Sequence, residues 1–497
     1  MKPTFHFPLL LATIVLLAGG DPAFAFQDAA SGAQSTEPET EVISLTLTPA
    51  GEPVPALKYK LLPPGMNLTE GNAATFYYRA ILAMPSNNDQ SSQYPEMLQK
   101  WADIPIEQLP KDEIRAVLPH YHSALGELHT ASTRRDCEWS LEIHQLEGPD
   151  VISFRLQELQ PLRTLARVLQ AKSRLQIADG QFDDAVRTMQ IGYRLAQDVG
   201  KEPLLINGLV GMAISSIMNQ ALTDLIDTPG SPNMYWALTH IDRPLVDLQP
   251  ALRYEMGIGF RVFPFLQDPE TSERGAAQWA EVYANMFEDF NLLAPVSGSR
   301  SKGFPWQLSK RLGGMGMVML VYPNAKKQLI ERGYSPARVE AMPAGQVVAI
   351  HAKLAYEKIS DEHAKWYGLP YWLAKDGMDR AQHELTQGSP LARTLHSGPA
   401  YPIAMLLLPA VNKAMAAHAR FDRDLVGIQA VEAIRLHAAK HGALPESLGA
   451  ITDAPIPPNP ATGELFPYRV EAGKAILDLP PVNGANAKRY EIVIEKN

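Results

Sequence analysis

Cysteine is nearly absent from this chain of 497 residues, in which Cys137 is the single example. One thiol cannot form a disulfide within the chain, so no covalent cross-link can stabilise the fold. The length is sufficient for two or three domains, and 46% of the residues are hydrophobic. We therefore expect burial of apolar side chains to supply the stability.

Cationic residues are also few. The chain has 45 Lys and Arg against 54 Asp and Glu, which gives a formal net charge of -9 and a pI near 5.8. Binding to nucleic acid needs clustered Lys and Arg that replace the counterions of the phosphates. The composition therefore argues against nucleic acid as a partner.

The sequence signatures of common catalytic sites are missing. We find no GxSxG, HExxH, P-loop or dinucleotide-binding motif. Ser299 precedes Lys302 by three residues, as in penicillin-recognising enzymes, but the pair lies in a loop rich in Gly and Ser where those enzymes begin a helix. We predict no catalytic, cofactor-binding or metal-ligating residue, and no cofactor.

The N-terminal apolar run, Leu9–Ala18, is too short for a stable membrane anchor, which needs about 20 residues. It follows Lys2 and precedes the small-x-small pattern Ala23-Phe24-Ala25, which is typical of a signal-peptidase site. We predict a signal peptide over residues 1–25, export to the periplasm or the outside, and no integral membrane span after cleavage. An uncleaved N-terminal anchor is the alternative.

The mature chain begins with a predicted flexible leader, residues 26–41, which is rich in Ala, Ser, Gln and Thr. The next segment, residues 42–63, alternates apolar and polar residues on both sides of Pro49–Gly51. Period two on both sides of a turn predicts a β-hairpin. An isolated hairpin is only marginally stable, so we expect it to pair with other strands.

Residues 70–442 follow the period of helices and are predicted to form a helical domain. The clearest unit has two amphipathic runs on either side of Asp179-Gly180, which predicts an antiparallel helical hairpin. Gly180, Phe182 and Ala185 resemble a tetratricopeptide hairpin, although a generic helix pair is the simpler interpretation. A central buried helix is predicted over Leu205–Ile226, and a long final helix from about Pro409 to Lys440.

Two further apolar runs, "GGMGMVMLVYP" and "YPIAMLLLPAV", are shorter than a membrane span. We interpret them as core helices, with peripheral membrane contact as the alternative. After Gly442, closely spaced prolines and three alternating segments predict a small antiparallel β-module over residues 443–497. The fold class is therefore mainly α, with antiparallel helical hairpins and a C-terminal β-module that the N-terminal hairpin joins.

The segment "RLHAAKHGALPESLGAI...PIPPNPATGELFPYRV" resembles the end of the globular module of pseudopilins. In that family the module directly follows a transmembrane helix, whereas here several hundred residues precede it, so a role in pilus assembly is not implied. "DGQFDDAVRTMQIGYRLAQDVG" and "RPLVDLQPALRYE" are similar to segments of large exported bacterial proteins without an assigned activity. That resemblance implies only a fold-level expectation.

Several side chains are candidates for a functional site. Cys137 follows Arg134 and Arg135, which would favour a thiolate, but a buried apolar role is the simpler interpretation. Two helical clusters have the spacing of zinc ligands but are more simply solvated faces: His120, His122 and His129, and Glu357, Asp361, Glu362 and His363. The tryptophans would line a binding groove or anchor the core: Trp139, Trp236, Trp279, Trp306, Trp366 and Trp372.

Taken together, these patterns predict an exported helical scaffold or binding protein of the cell envelope, with a protein or a glycan as its partner. The alternative is an exported hydrolase whose carboxylates or histidines are distant in sequence and are brought together by folding.

Overall fold

The computed structural model describes residues 40–86, 91–154, 156–293, 306–483 and 485–495. The predicted signal peptide and the Ser299 and Lys302 pair lie outside these residues, and so does all but the end of the predicted leader. The described chain is mainly α-helical, with a small sheet formed by its C-terminal and N-terminal strands. The predicted fold class is confirmed.

The helices and strands have the following bounds. The α-helices are α1 (Ala73–Leu82), α2 (Tyr94–Ala102), α3 (Lys111–Val117), α4 (His122–Ser132), α5 (Asp150–Ser153), α6 (Leu159–Ala178), α7 (Phe182–Val199), α8 (Leu205–Asp227), α9 (Tyr235–Thr239), α10 (Gln249–Val262), α11 (Ala276–Leu293), α12 (Trp306–Glu331), α13 (Pro336–Ala341), α14 (Ala344–Ala364), α15 (Tyr371–Thr386), α16 (Pro390–Ser397) and α17 (Ala400–His441). The strands are β1 (Thr40–Leu47), β2 (Thr69–Asn72), β3 (Arg134–Asp136), β4 (Tyr468–Glu471), β5 (Lys474–Leu479) and β6 (Ala487–Ile494).

The described chain divides into two compact units. The first contains residues 141–154 and 252–414, and the second contains residues 40–140, 156–251 and 415–495. The core of the first unit is formed by α10, α11, α12, α14 and the beginning of α17, and it includes Trp279, Tyr283 and Tyr356. In the second unit α6, α7 and α8 pack against one another.

The predicted hairpin is present as α6 and α7, which are joined by Asp179, Gly180 and Gln181. Gly180 has a φ of 72°, a left-handed conformation that glycine adopts without strain. The next helix, α8, is buried along most of its length, as predicted for Leu205–Ile226. A Cβ atom on its Gly211 would lie 2.7 Å from the Ala196 carbonyl oxygen of α7. Glycine therefore permits the two backbones to approach closely.

Two described helices, α8 and α17, are long and apolar enough to cross a membrane. The most apolar window of α8 is 78% buried within the protein. Length and composition are weak evidence for a span here, because the core helix of a soluble protein has the same properties.

The sheet has the strand order β1-β6-β5-β4. Strands β4, β5 and β6 are antiparallel neighbours, as predicted, and β1 pairs in parallel with β6 from Thr40 and Ala487 to Leu47 and Ile494. Leu45 and Leu47 of β1 are buried, so the N-terminal strand contributes side chains to the core of the C-terminal module.

The prediction of a β-hairpin over residues 42–63 is wrong in its second half. Residues 57–61 form a turn, bends and irregular chain rather than a strand. Pro49, Pro53 and Pro55 cannot donate to a strand ladder, which explains why the chain does not fold back beside β1. The N-terminal segment therefore contributes one strand to the sheet.

The final helix, α17, begins at Ala400 and not near Pro409 as predicted. Pro409 is accommodated inside it, so the run "YPIAMLLLPAV" belongs to the same helix. The predicted end is confirmed, because Gly442 has a φ of 70° and its N–H donates to the Ala438 carbonyl oxygen.

Candidate functional site

A groove lies in the second unit, where the segment after β1, the loop before α9 and α17 meet. Its larger cavity has a volume of about 380 Å³ and is lined by residues that include Val54, Tyr59, Ser231 and Arg435. A second cavity of about 200 Å³ shares Gly51 and extends along α17 past Leu436 and Lys440 to Asp453. We call the two cavities the junction groove. The volume of the larger cavity lies within the range of small-ligand sites, which begins at about 300 Å³.

Arg435 forms the floor of the junction groove and is fully buried. Its Nε donates to the Thr48 carbonyl oxygen at 2.8 Å, and its Nη2 donates to the carbonyl oxygen and the hydroxyl of Ser231 at 2.8 and 2.9 Å. Its Nη1 donates to the Pro232 carbonyl oxygen at 3.3 Å and to Glu432 Oε1 at 3.2 Å. All five guanidinium donors are used. Arg435 therefore fixes the two loops that line the groove.

Glu432, one turn earlier on α17, is also fully buried. Burial raises the pKa of its carboxyl, and the charge of Arg435 opposes that shift. Its Oε2 has no hydrogen-bond partner among the described residues. A buried carboxylate oxygen without a partner is costly, so protonation of Glu432 is favoured more than for an exposed glutamate.

The rim of the groove carries a polar triad of Lys58, Tyr59 and Asp183. The Tyr59 hydroxyl donates to Asp183 Oδ1 at 2.8 Å, and Lys58 Nζ donates to the Tyr59 hydroxyl at 2.9 Å. The hydrogen bond from Tyr59 lowers the pKa of Asp183, whereas burial raises the pKa of Tyr59. Val54 stands beside the triad with 91% of its surface exposed. The rim therefore presents the aromatic ring of Tyr59, a positive and a negative charge from Lys58 and Asp183, and the exposed apolar side chain of Val54.

A second group of side chains in the same unit surrounds Trp139. We call Tyr78, Trp139, Glu158 and Glu202 the Glu158 patch. The Trp139 backbone N–H donates to Glu202 Oε1 at 3.2 Å, and the ring of Tyr78 meets the Trp139 ring edge to face at 5.5 Å. Burial, with a contribution from Glu202, raises the pKa of Glu158. Burial and the charges of both carboxylates raise the pKa of Tyr78 to about 12.

Beneath this patch lies a buried ionic cluster centred on Asp198. Its Oδ2 accepts hydrogen bonds from the Tyr77 hydroxyl at 2.9 Å and from Arg194 Nε at 3.0 Å, and its Oδ1 accepts one from Lys201 at 2.7 Å. The Trp139 indole N–H donates to the Asp198 carbonyl oxygen at 3.0 Å. Because every charge in this cluster is paired, its role is to join α1, α7 and the segment around Trp139.

Cys137 is buried beside this cluster. Burial raises the pKa of its thiol well above the ordinary value, and Asp198 adds to that shift. The charges of Lys201 and Arg194 partly offset this rise in the pKa of Cys137, whereas the adjacent Arg134 and Arg135 are not among its causes. A thiol with a raised pKa is a poor nucleophile. The interpretation of Cys137 as a small buried side chain is confirmed.

The two sets of potential metal ligands do not assemble. His120, His122 and His129 are all exposed. On α14, Asp361 and Glu362 face solvent, whereas His363 is buried and its Nδ1 hydrogen-bonds the Ile359 carbonyl oxygen at 2.9 Å. Within the described ranges, no group of three or more His, Cys, Asp or Glu side chains is placed to hold a metal ion.

The tryptophans with described side chains are divided between the two units. Trp139 and Trp236 belong to the second unit, and Trp279, Trp366 and Trp372 belong to the first. Trp139 and Trp279 are buried, whereas Trp372 is exposed. The side chain of Trp306 lies outside the described part of the chain. Aromatic anchoring of the core is therefore the role of the two buried rings.

The sequence interpretation missed the residues that build both candidate sites. Glu432 and Arg435 interrupt the apolar run of the last helix, and a charged pair three residues apart on a buried face was a usable signal. Glu158 and Glu202 lie 44 positions apart in the sequence, and no spacing rule connects them.

Comparison of the chain with known proteins identifies no relative. No family model, no curated protein and no solved structure matches the chain. The resemblances to pseudopilin modules, to tetratricopeptide hairpins and to large exported proteins therefore stay predictions.

Proposed function

We propose that the protein is an exported binding protein of the cell envelope that holds a peptide or glycan segment of its partner in the junction groove. The observation that carries this proposal is the construction of the groove. Arg435 holds both lining loops in place before any ligand arrives, and preorganised loops reduce the entropy cost of binding.

The rim supports a peptide or glycan partner. Tyr59 presents a ring with a hydroxyl, and Lys58 and Asp183 flank it with opposite charges. Aromatic rings with neighbouring hydrogen-bonding groups are the elements that bind sugars and peptide side chains. The strongly exposed Val54 adds an apolar contact at the mouth.

The test is a comparison of capture from the native envelope by the wild-type protein and by Tyr59→Ala. We expect the wild type to retain a protein or glycan and the variant to lose most of it. The matched control is Tyr468→Ala, because Tyr468 is a half-buried tyrosine like Tyr59, lies in the same unit, and belongs neither to the groove lining nor to the Glu158 patch. Equal capture by the wild type and Tyr59→Ala, or no capture at all, would count against the proposal.

Export is part of the proposal and has its own test. The signal-peptide pattern ends at Ala25, so we expect the N-terminus of the protein from its native host to be Phe26. N-terminal sequencing that begins at Met1 in a membrane fraction would support the uncleaved anchor.

A second candidate function is hydrolysis at the Glu158 patch. Burial raises the pKa of Glu158 beside a second carboxylate, Glu202, and Glu158 Oε1 has no hydrogen-bond partner among the described residues. A carboxyl whose pKa is raised by burial near a second carboxylate is the kind of pair that glycoside hydrolases use for acid catalysis. The partly exposed ring of Tyr78 borders this pair.

This candidate is tested with envelope glycans as substrates. Glu158→Gln should lower any hydrolysis rate at least about 100-fold, because it removes the acid, whereas the exposed Glu113→Gln should leave the rate unchanged. Hydrolysis that survives Glu158→Gln, or the absence of hydrolysis, would exclude this site as the catalytic centre.

A further inference from the structure

Helix α12 in the first unit has two faces of different character. Val321, Ala325 and Leu329 are fully buried in the core, and a Cβ atom on Gly314 would lie 2.7 Å from the backbone of Tyr283 in α11. These residues fix one side of the helix against its neighbours. The opposite side is free to meet another surface.

That opposite side is apolar over more than two turns. Leu312 is 59% exposed, Met315 46%, Met319 74% and Leu320 63%. Residues at spacings of three, four and seven or eight positions share a helix face, so these four side chains form one continuous stripe. We call them the α12 stripe. Exposed contiguous apolar surface on a folded protein marks an interaction site.

Two described charges of α12 follow the stripe. Lys326 and Lys327 follow Met319 and Leu320 by seven positions and therefore continue the same face. The helical positions just before Leu312 are Lys310 and Arg311. The helix thus contains four cationic residues, and its one acidic residue is Glu331, although the whole chain carries a formal charge of -9.

The cations near the end of the stripe retain capacity for further contacts. Lys327 Nζ lies 3.8 Å from Glu331, which is longer than a direct hydrogen bond, and its side chain is mostly exposed. Lys326 pairs with Glu340 of α13 at 2.9 Å. Exposed pairs of this kind are weak and exchange readily with other anions.

We propose that the α12 stripe docks this protein onto an anionic lipid surface. An apolar helix face accompanied by basic residues is a feature of helices that lie in a membrane interface. The apolar side chains enter the boundary of the acyl region, and the lysines extend to the lipid phosphates. This inference goes beyond the proposed function and does not depend on the junction groove, which belongs to the other unit.

The test is cosedimentation of the full chain with vesicles of phosphatidylcholine containing 30% phosphatidylglycerol. We expect binding that is weaker with phosphatidylcholine alone and weaker at 0.5 M than at 0.1 M NaCl, because salt screens the lysines. Met315→Ser/Met319→Ser should weaken binding at least about tenfold, since two apolar side chains no longer enter the lipid. Lys327→Gln should weaken it by a smaller factor.

The matched control is Leu82→Ser, which removes a leucine at the end of α1 in the other unit that is more exposed than any residue of the α12 stripe, and it should leave binding unchanged. All substituted side chains are exposed, and circular dichroism verifies that each variant is folded. Failure to sediment with anionic vesicles, or equal binding by the stripe variant, would overturn the proposal. A dimer in light scattering that Met315→Ser/Met319→Ser dissociates, without vesicle binding, would assign the stripe to a second copy instead.

Discussion

Arg174 Nε lies 2.6 Å from Asp224 Oδ2, and this ion pair connects α6 with α8 across the interior of the second unit. Arg174 is almost fully buried and also donates to the carbonyl oxygens of Trp101 and Ile104. Despite this partner, burial raises the pKa of Asp224 to about 6, and the charges of Asp227 and Glu107 contribute to the shift. The cost of burying the carboxylate therefore exceeds the attraction of Arg174.

The raised pKa of Asp224 predicts how stability depends on pH. The folded protein holds this proton up to about pH 6, whereas the ordinary pKa of the group is 3.8. Stability from this group is therefore present below pH 3.8 and is lost as the pH rises through about 6. The loss is at most about 3 kcal/mol.

Urea unfolding of the wild type and of Asp224→Asn from pH 4 to pH 7 measures this effect. We expect the free energy of unfolding of the wild type to fall relative to that of the variant across this range, because asparagine does not titrate. Asp112→Asn, which removes a fully exposed carboxylate, is the control. A wild-type value that rises relative to Asp224→Asn would show that the assigned direction is wrong.

For the buried ion pair of Glu432 and Arg435, we expect removal of one charge to destabilise the protein more than removal of both. Arg435→Met leaves the Glu432 carboxylate buried without its partner, so it should lower the free energy of unfolding by about 3–5 kcal/mol at pH 8. The loss should be smaller at pH 5, because a glutamate whose pKa is raised by burial becomes protonated more readily. The double variant Glu432→Gln/Arg435→Met should lie closer to the wild type.

Chemical denaturation at both pH values provides the measurement. Lys440→Ala on the same helix removes an exposed partner of Asp453 and should cost less than about 1 kcal/mol. If Arg435→Met were no more damaging than Lys440→Ala, Arg435 would not be the residue that holds the groove together.

Two helical glycines, one at a close helix contact and one facing open space, should respond oppositely to substitution by alanine. Gly211→Ala places a Cβ 2.7 Å from the Ala196 carbonyl oxygen, so it should destabilise the protein by about 1–3 kcal/mol. A Cβ atom on Gly126 in α4 would meet no atom within 4 Å, so Gly126→Ala should stabilise the protein by about 0.5–1 kcal/mol. Thermal unfolding of both variants tests this, and a neutral Gly211→Ala would show that the helices can separate at little cost.

The parallel pairing of β1 with β6 predicts that the N-terminal strand is part of the stable fold. Leu47→Ala should lower the free energy of unfolding by about 2–4 kcal/mol, because this side chain is fully buried. Val42→Ala on the same strand should cost less than about 1 kcal/mol, because Val42 is half exposed. Similar small losses from both substitutions in chemical denaturation would mean that β1 docks only weakly.

Most of the helices could be predicted from the sequence because their apolar residues recur at helical spacing. The pair α6 and α7 also had a glycine turn, and α8 had an uninterrupted apolar run. Strands β4 to β6 were predictable from alternation. The sequence also predicts that the N-terminal segment joins this sheet, and the pairing of β1 with β6 confirms it. The parallel register was not predictable, because Leu47 and Ile494 are 447 positions apart and pair only in the folded protein.

The predictions that the structure does not match failed for physical reasons. Residues 57–61 alternate like a strand, but the preceding prolines prevent the chain from pairing with β1. The apolar run "GGMGMVMLVYP" predicts a core helix, yet Met315 and Met319 are exposed while Val321 is buried. Hydrophobicity alone does not indicate which apolar face finds a partner inside the fold. The same limit applies to Glu158 and Glu202, which become neighbours only through tertiary structure.

Site-specific photo-crosslinking shows whether the junction groove holds a partner. Val54 and Met66 are both 91% exposed, but only Val54 lines the groove. A photoreactive residue at position 54, introduced into the protein in its native host, should crosslink to a peptide or glycan, and one at position 66 should not. Crosslinks at both positions alike, or at neither, would contradict the account.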